Sequence, residues 1–117
     1  MPVQIIEHKG KEIIFVDHKG LQGSEMIDCF KEASREILAR KGSALSLADF
    51  SGANLTKDFI EYLKTEEVKE ITGGVKKEAI IGVSGIKKMV YNIYSALSGS
   101  TARVFNTIEE AKDYLVT

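Results

Sequence analysis

The sequence has no tryptophan, one proline, one cysteine and two histidines. A lone cysteine excludes an internal disulfide and agrees with a reducing compartment. No cysteine–histidine cluster at metal-ligating spacing accompanies the two histidines, so no metal and no cofactor are expected. No apolar run approaches the roughly 20 residues of a membrane span. The first residues lack the basic region and apolar core of a signal peptide, so a cytoplasmic location is expected. A dominant charge is missing too. Sixteen Lys and Arg against seventeen Asp and Glu leave a net charge of −1, which implies no whole-chain pull toward nucleic acid or an anionic membrane.

What is present is ordinary globular composition, 44% hydrophobic and 28% charged over 117 residues, enough for one domain, residues 1–117, without a staple. Val3 to Glu7 and Glu12 to Asp17 are β-type runs joined by a short polar connection from His8 to Lys11, the pattern of an antiparallel hairpin. A helix is expected from a Ser24 cap to about Arg40, with Met26, Phe30, Ala33 and Ile37 on one face, widened by Ile27 and Leu38. Ala44 to Phe50 is short and mostly apolar, as a central strand covered on both faces should be. The loop Ser51-Gly52-Ala53-Asn54 follows, and Thr56 caps a charged helical stretch that Gly73-Gly74 stops. This stretch reads as one helix or two. A fourth strand is expected from Glu78 to Val83, then a turn at Ser84-Gly85 and a helix from about Ile86 to Leu97. A last strand, Ala102 to Phe105, precedes a terminal helix opened by the capping box Thr107-Ile108-Glu109-Glu110. The fold class is therefore α/β, a single domain with an N-terminal β-hairpin, alternating β-α units and parallel pairing after the hairpin.

Alternation of this kind gathers Asp17-His18, Asp49 to Asn54, Ser84-Gly85 and Asn106-Thr107 near one edge of the sheet, where ligands and partners of open α/β sheets usually meet the chain. No catalytic residue is assigned there. Gly82-Val83-Ser84-Gly85 lacks the second glycine of a nucleophile elbow, Ile86 standing in its place, and both histidines precede it in the chain. It reads as a structural turn. The same turn, with Lys87 and Lys88, lacks the glycines of a phosphate or dinucleotide loop. His8 and His18 read as surface residues. His18 is the more interesting, because adjacent Asp17 favours its protonated form. The only base–nucleophile pairing on offer is His18 with Ser51 or Ser84. Cys29 reads as a small packing residue. Met89, Val90, Tyr91 and Tyr94 make the helix after the fourth strand apolar around much of its circumference, as a buried helix or as one lining an apolar pocket or subunit contact.

The hairpin, Leu47-Ala48-Asp49-Phe50-Ser51-Gly52, Glu78 to Gly85 and the closing run Ala102 to Leu115 together resemble the STAS/SpoIIAA-like family, including its small stand-alone STAS or SEC14-like members. The resemblance implies a four-to-five-stranded mixed sheet with helices, wound as a β-α superhelix. In the anti-sigma-factor antagonists of that family a serine in Asp-Ser-Ser-Gly is phosphorylated. Here Ala53-Asn54-Leu55-Thr56 occupies that place, with Ser51 and Thr56 as the nearby hydroxyls. Two functions follow as expectations. The first is a non-enzymatic regulatory module that meets a protein partner through Ser51, Gly52, Ala53, Asn54, Thr56 and Asp58. The alternative is a carrier or sensor of a small apolar or lipid ligand, with Met89, Ile93 and Tyr94 among the residues lining its site. A monomer or a homodimer suits either.

Overall fold

The two N-terminal strands, β1 (Val3–His8) and β2 (Lys11–Asp17), pair antiparallel from Val3 against Val16 to His8 against Lys11. Lys9 and Gly10 close the hairpin with φ of 51° and 82°, the positive values that a two-residue turn matched to strand twist requires. The computed structural model describes residues 3–83, 88, 91–92 and 102–117. Among the described residues the remaining elements are α1 (Ser24–Ala39), β3 (Ala44–Asp49), α2 (Lys57–Tyr62), α3 (Glu66–Gly73), β4 (Val75–Ile81), β5 (Arg103–Phe105) and α4 (Ile108–Val116).

The sheet order is β1-β2-β3-β4-β5, with every pairing after the hairpin parallel. The expected α/β fold, with its hairpin and mixed sheet, is what forms, and the sheet has five strands. β3 sits at its centre and every one of its residues is buried. Its side chains alternate between two layers, as strand geometry requires. Leu45 and Leu47 join Ile13, Ala79 and Ile81 under α4, which contributes Ala111 and Leu115. Ala44 and Ala48 join Ile14, Val16 and Ile80 under α1, which contributes Cys29, Ala33 and Ile37.

Several local expectations shift. Ser24 is the first helical residue rather than the cap. Gly23 holds the cap position with φ 51° and no side-chain bond. A Cβ there would stand 3.3 Å from the Thr56 hydroxyl, so glycine suits both the backbone and the contact. Leu38 is exposed rather than part of the buried stripe. The charged stretch after Thr56 is two helices, α2 and α3, and the Thr65 hydroxyl between them donates to the Tyr62 carbonyl at 2.8 Å. The fourth strand begins at Val75, three residues earlier than expected. Ala44 pairs with Val75 but Leu45 with Lys77, so Lys76 is the extra residue of a bulge that the polar Lys-Lys-Glu composition conceals.

Candidate functional site

Between the sheet and the α1–α3 layer lies a cavity of about 60 Å³, partly open to solvent. Its floor is Val16, Ser46, Ala48 and Ile80. Its roof is Phe30, Ala33 and Ile37 of α1, with Phe59, Leu63 and Ile71 from the segment spanning α2 and α3. The space has a local cause. On this face the central strand presents Ala44, Ser46 and Ala48, side chains that stop at or just beyond Cβ. The opposing position on α1 is another alanine, Ala33. On the other face the same strand presents Leu45 and Leu47.

His18 closes one part of this cavity. It continues the alternation Ile14, Val16, His18 one residue past the end of β2, and its exposure is 0%. Its backbone N–H donates to the Asp49 carbonyl at 2.9 Å, and its carbonyl accepts from Leu21 at 3.1 Å. The imidazole stacks on Phe50 with ring centroids 4.5 Å apart and planes 4° from parallel, and Phe59 lies 6.1 Å away, tilted. Neither ring nitrogen has a hydrogen-bond partner among the described residues. Burial in this apolar surround lowers the pKa to about 4, with the Asp17 and Asp49 carboxylates only partly opposing it. The expectation of a surface histidine with a raised pKa is thus corrected. Desolvation outweighs the neighbouring charge, and the ring is neutral at pH 7.

The rim beside His18 is a polar row at the carboxyl ends of the strands. Asp17 pairs with Asp49 and Asp49 with Ile81 across the sheet. Asp49 Oδ1 accepts from the Ser51 N–H at 2.9 Å, and its Oδ2 lies 3.6 Å from Lys19 Nζ. Asp17 accepts from the Lys19 N–H at 3.0 Å. Of the residues expected to form a partner-binding face, Ser51, Gly52, Asn54 and Asp58 are exposed and Thr56 is half-buried. Ala53 points inward, packed with Met26, Phe59, Leu63 and Val68. Asn54 is tied to the start of α1, its N–H donating to the Leu21 carbonyl at 2.9 Å and its Nδ2 to Gln22 Oε1 at 3.1 Å. Thr56 caps α2 through a long 3.5 Å bond from the Phe59 N–H. Gly82, weighed in the sequence only as the start of the Gly82-Val83-Ser84-Gly85 turn, runs against this loop. Its φ is 79°, and a Cβ there would fall 2.8 Å from Ser51 Cα and nearer still to its nitrogen.

Met89, Ile93 and Tyr94, expected to line an apolar site, and the Ser84-Gly85 turn lie outside the described residues. Tyr91 of the same segment lines the cavity, and its hydroxyl donates to the Ala102 carbonyl. Cys29 is buried, its thiol pushed up to about 12 by desolvation and then by Glu32 and Asp17. It packs in the core under α1. His8 binds Asp113 at 2.8 Å, tying the hairpin to α4. Among the described residues no group of three or more His, Cys, Asp or Glu is placed to hold a metal ion. No helix among them is long and apolar enough to cross a membrane.

A solved structure from Shewanella loihica PV-4, an uncharacterised DUF3478-family protein described as having a SpoIIAA-like fold, superposes with a TM-score of 0.72. The match covers 97% of this chain and 91% of that one at 15% identity. The chain has a SpoIIAA-like fold. No protein-family model and no curated protein matches the sequence. The SpoIIAA-like fold thus bears out the family resemblance at the level of architecture, and at this identity it says nothing of a ligand, partner or reaction.

Proposed function

We propose that this protein binds a small, mostly apolar molecule between its sheet and the α1–α3 layer and acts as a carrier or sensor rather than an enzyme. The observation that carries this is the cavity and the way it is made. A volume of about 60 Å³ is roughly four to six times what one water needs. Its walls are chiefly Val, Ile, Leu, Phe and Ala, with His18, Ser46, Thr72, Glu78 and Tyr91 as the polar members. Concave, largely apolar sites with few polar groups are the usual form of small-molecule sites. Native mass spectrometry of gently purified protein is the test. A discrete excess mass that vanishes on denaturation is expected. Bare protein from several expression hosts counts against the reading.

A second reading, contact with a protein partner, is favoured by the position of Ser51, Gly52, Asn54, Lys57 and Asp58. All are exposed on the loop and helix that adjoin the cavity, so an occupant below could alter the surface above. A partner confirmed with purified components should lose binding on Asp58→Lys and keep it on Glu110→Lys, a control on α4. Equal binding by both variants removes this face from consideration. A phosphate on Ser51 or Thr56 that survives denaturation in the same spectra would add about two negative charges to that surface.

A further inference from the structure

We infer that the occupant of the cavity carries one uncharged hydroxyl group, and that this group hydrogen-bonds the His18 imidazole while the apolar body lies over Ser46 and Ala48. The inference rests on the binding reading above and specifies its ligand. A neutral imidazole has one N–H donor and one bare acceptor nitrogen. Both nitrogens of His18 lack a partner among the described residues, on a side chain with 0% exposure. Buried polar groups in folded proteins are almost always satisfied, and an exception calls for something that satisfies it. His18 is also a lining residue of the cavity, so a group held there reaches the ring without leaving the apolar walls.

Charge at this end selects against an anionic head group. Asp17 and Asp49 act on His18 as negative charges. Among the described residues the basic group against them is Lys19, whose Nζ is 3.6 Å from Asp49 Oδ2 and which is half-exposed. A carboxylate or phosphate entering here meets like charge and loses its hydration. A cation would shed its hydration among chiefly apolar walls, and the Asp49 carboxylate is already held by the Ser51 N–H and Lys19. A hydroxyl meets both needs, since it donates to the bare nitrogen or accepts from the N–H.

The test compares phenol, toluene and benzoate, which share one ring and differ in one substituent, by NMR-detected titration at pH 7. Wild-type protein is expected to bind phenol tighter than toluene by roughly threefold to tenfold, the range of one net hydrogen bond, and to bind benzoate weakest. In His18→Leu the order of phenol and toluene reverses, with toluene affinity retained. His18→Phe, which keeps the stacking on Phe50, serves the same purpose should the leucine variant fail to fold. If toluene binds as well as phenol in the wild type, His18 is served by water, and the inference falls while the cavity remains a binding site. Tightest binding by benzoate overturns the uncharged head group in the same way. Binding of none of the three overturns both this inference and the reading beneath it.

Discussion

The two faces of one strand behave differently. Leu45 and Leu47 of β3 face α4 and meet a layer filled by Ile13, Ala79, Ile81, Ala111 and Leu115. Ala44, Ser46 and Ala48 face α1 and leave space beneath Ala33. The residues of both faces come from the same six positions, 44–49, so neither strand propensity nor overall hydrophobicity explains the difference. Volume does. Interiors are normally close-packed, and a face built from alanine and serine beneath a helix alanine is one where close packing stops. The α4 face is filled, and the α1 face leaves the cavity in which we propose that a ligand binds.

Substitutions at adjacent residues can break this contrast. Leu47→Ala should lower unfolding free energy by about 2–5 kcal/mol, the usual cost of emptying a filled core position, read by urea denaturation. A cost below about 1 kcal/mol would mean that the α4 face is as loosely packed as the other. The next effect is in pH. His18 has a pKa of about 4 in the folded protein against an ordinary 6.5. Between those values the unfolded chain binds a proton that the folded chain refuses, so stability is lost as pH falls from about 6.5 to about 4. The loss attributable to this group is up to ~3 kcal/mol. It should appear as the difference between wild type and His18→Leu, whose stability should depend less on pH across that window. An identical pH profile in both would place the imidazole in water.

Gly82→Ala should cost about 1–3 kcal/mol, because the new methyl strikes the Ser51 backbone at a positive φ. The cost should fall on the loop, visible as faster amide exchange from Ser51 to Asn54. Normal exchange there would show that the loop adjusts freely. The smallest effect is expected at Ala48. Ala48→Val fills the cavity from a strand position that suits a β-branched residue, and should raise stability by about 0.5–1 kcal/mol while weakening phenol binding. A loss of more than 1 kcal/mol would mean that the space is already occupied by neighbouring side chains.

Much of this architecture was legible in the sequence. The hairpin, the central strand, the Thr56 and Thr107 caps and the alternation of strands and helices follow from periodicity and turn chemistry. The bulge at Lys76 was not, because Val75-Lys76-Lys77 carries no strand pattern and pairs only through a register shift. The site was half legible. The alternation of small and large residues from Ala44 to Ala48 stands in the sequence, but volume becomes a cavity only once Ala33 is known to lie opposite. His18 was misjudged because it follows the strand's last acidic residue and looks like loop. Its signal was the period of two through Ile14 and Val16, and only the packing of Phe50 and Phe59 around it reveals that the ring is buried. Gly82 stood in the sequence only as part of a turn motif, and its need for glycine comes from Ser51, thirty-one positions away in the chain.

The measurement that tests the contrast most directly is a methyl-resolved NMR titration of the whole protein with phenol. Shifts should be confined to the α1 face, at Ala33, Ile37, Ala48, Ile71 and Ile80, and should saturate together with one affinity. Ala79, Ala111 and Leu115 should stay in place. Shifts spread equally over both faces, or none at saturating phenol, would contradict a binding cavity between the sheet and α1–α3.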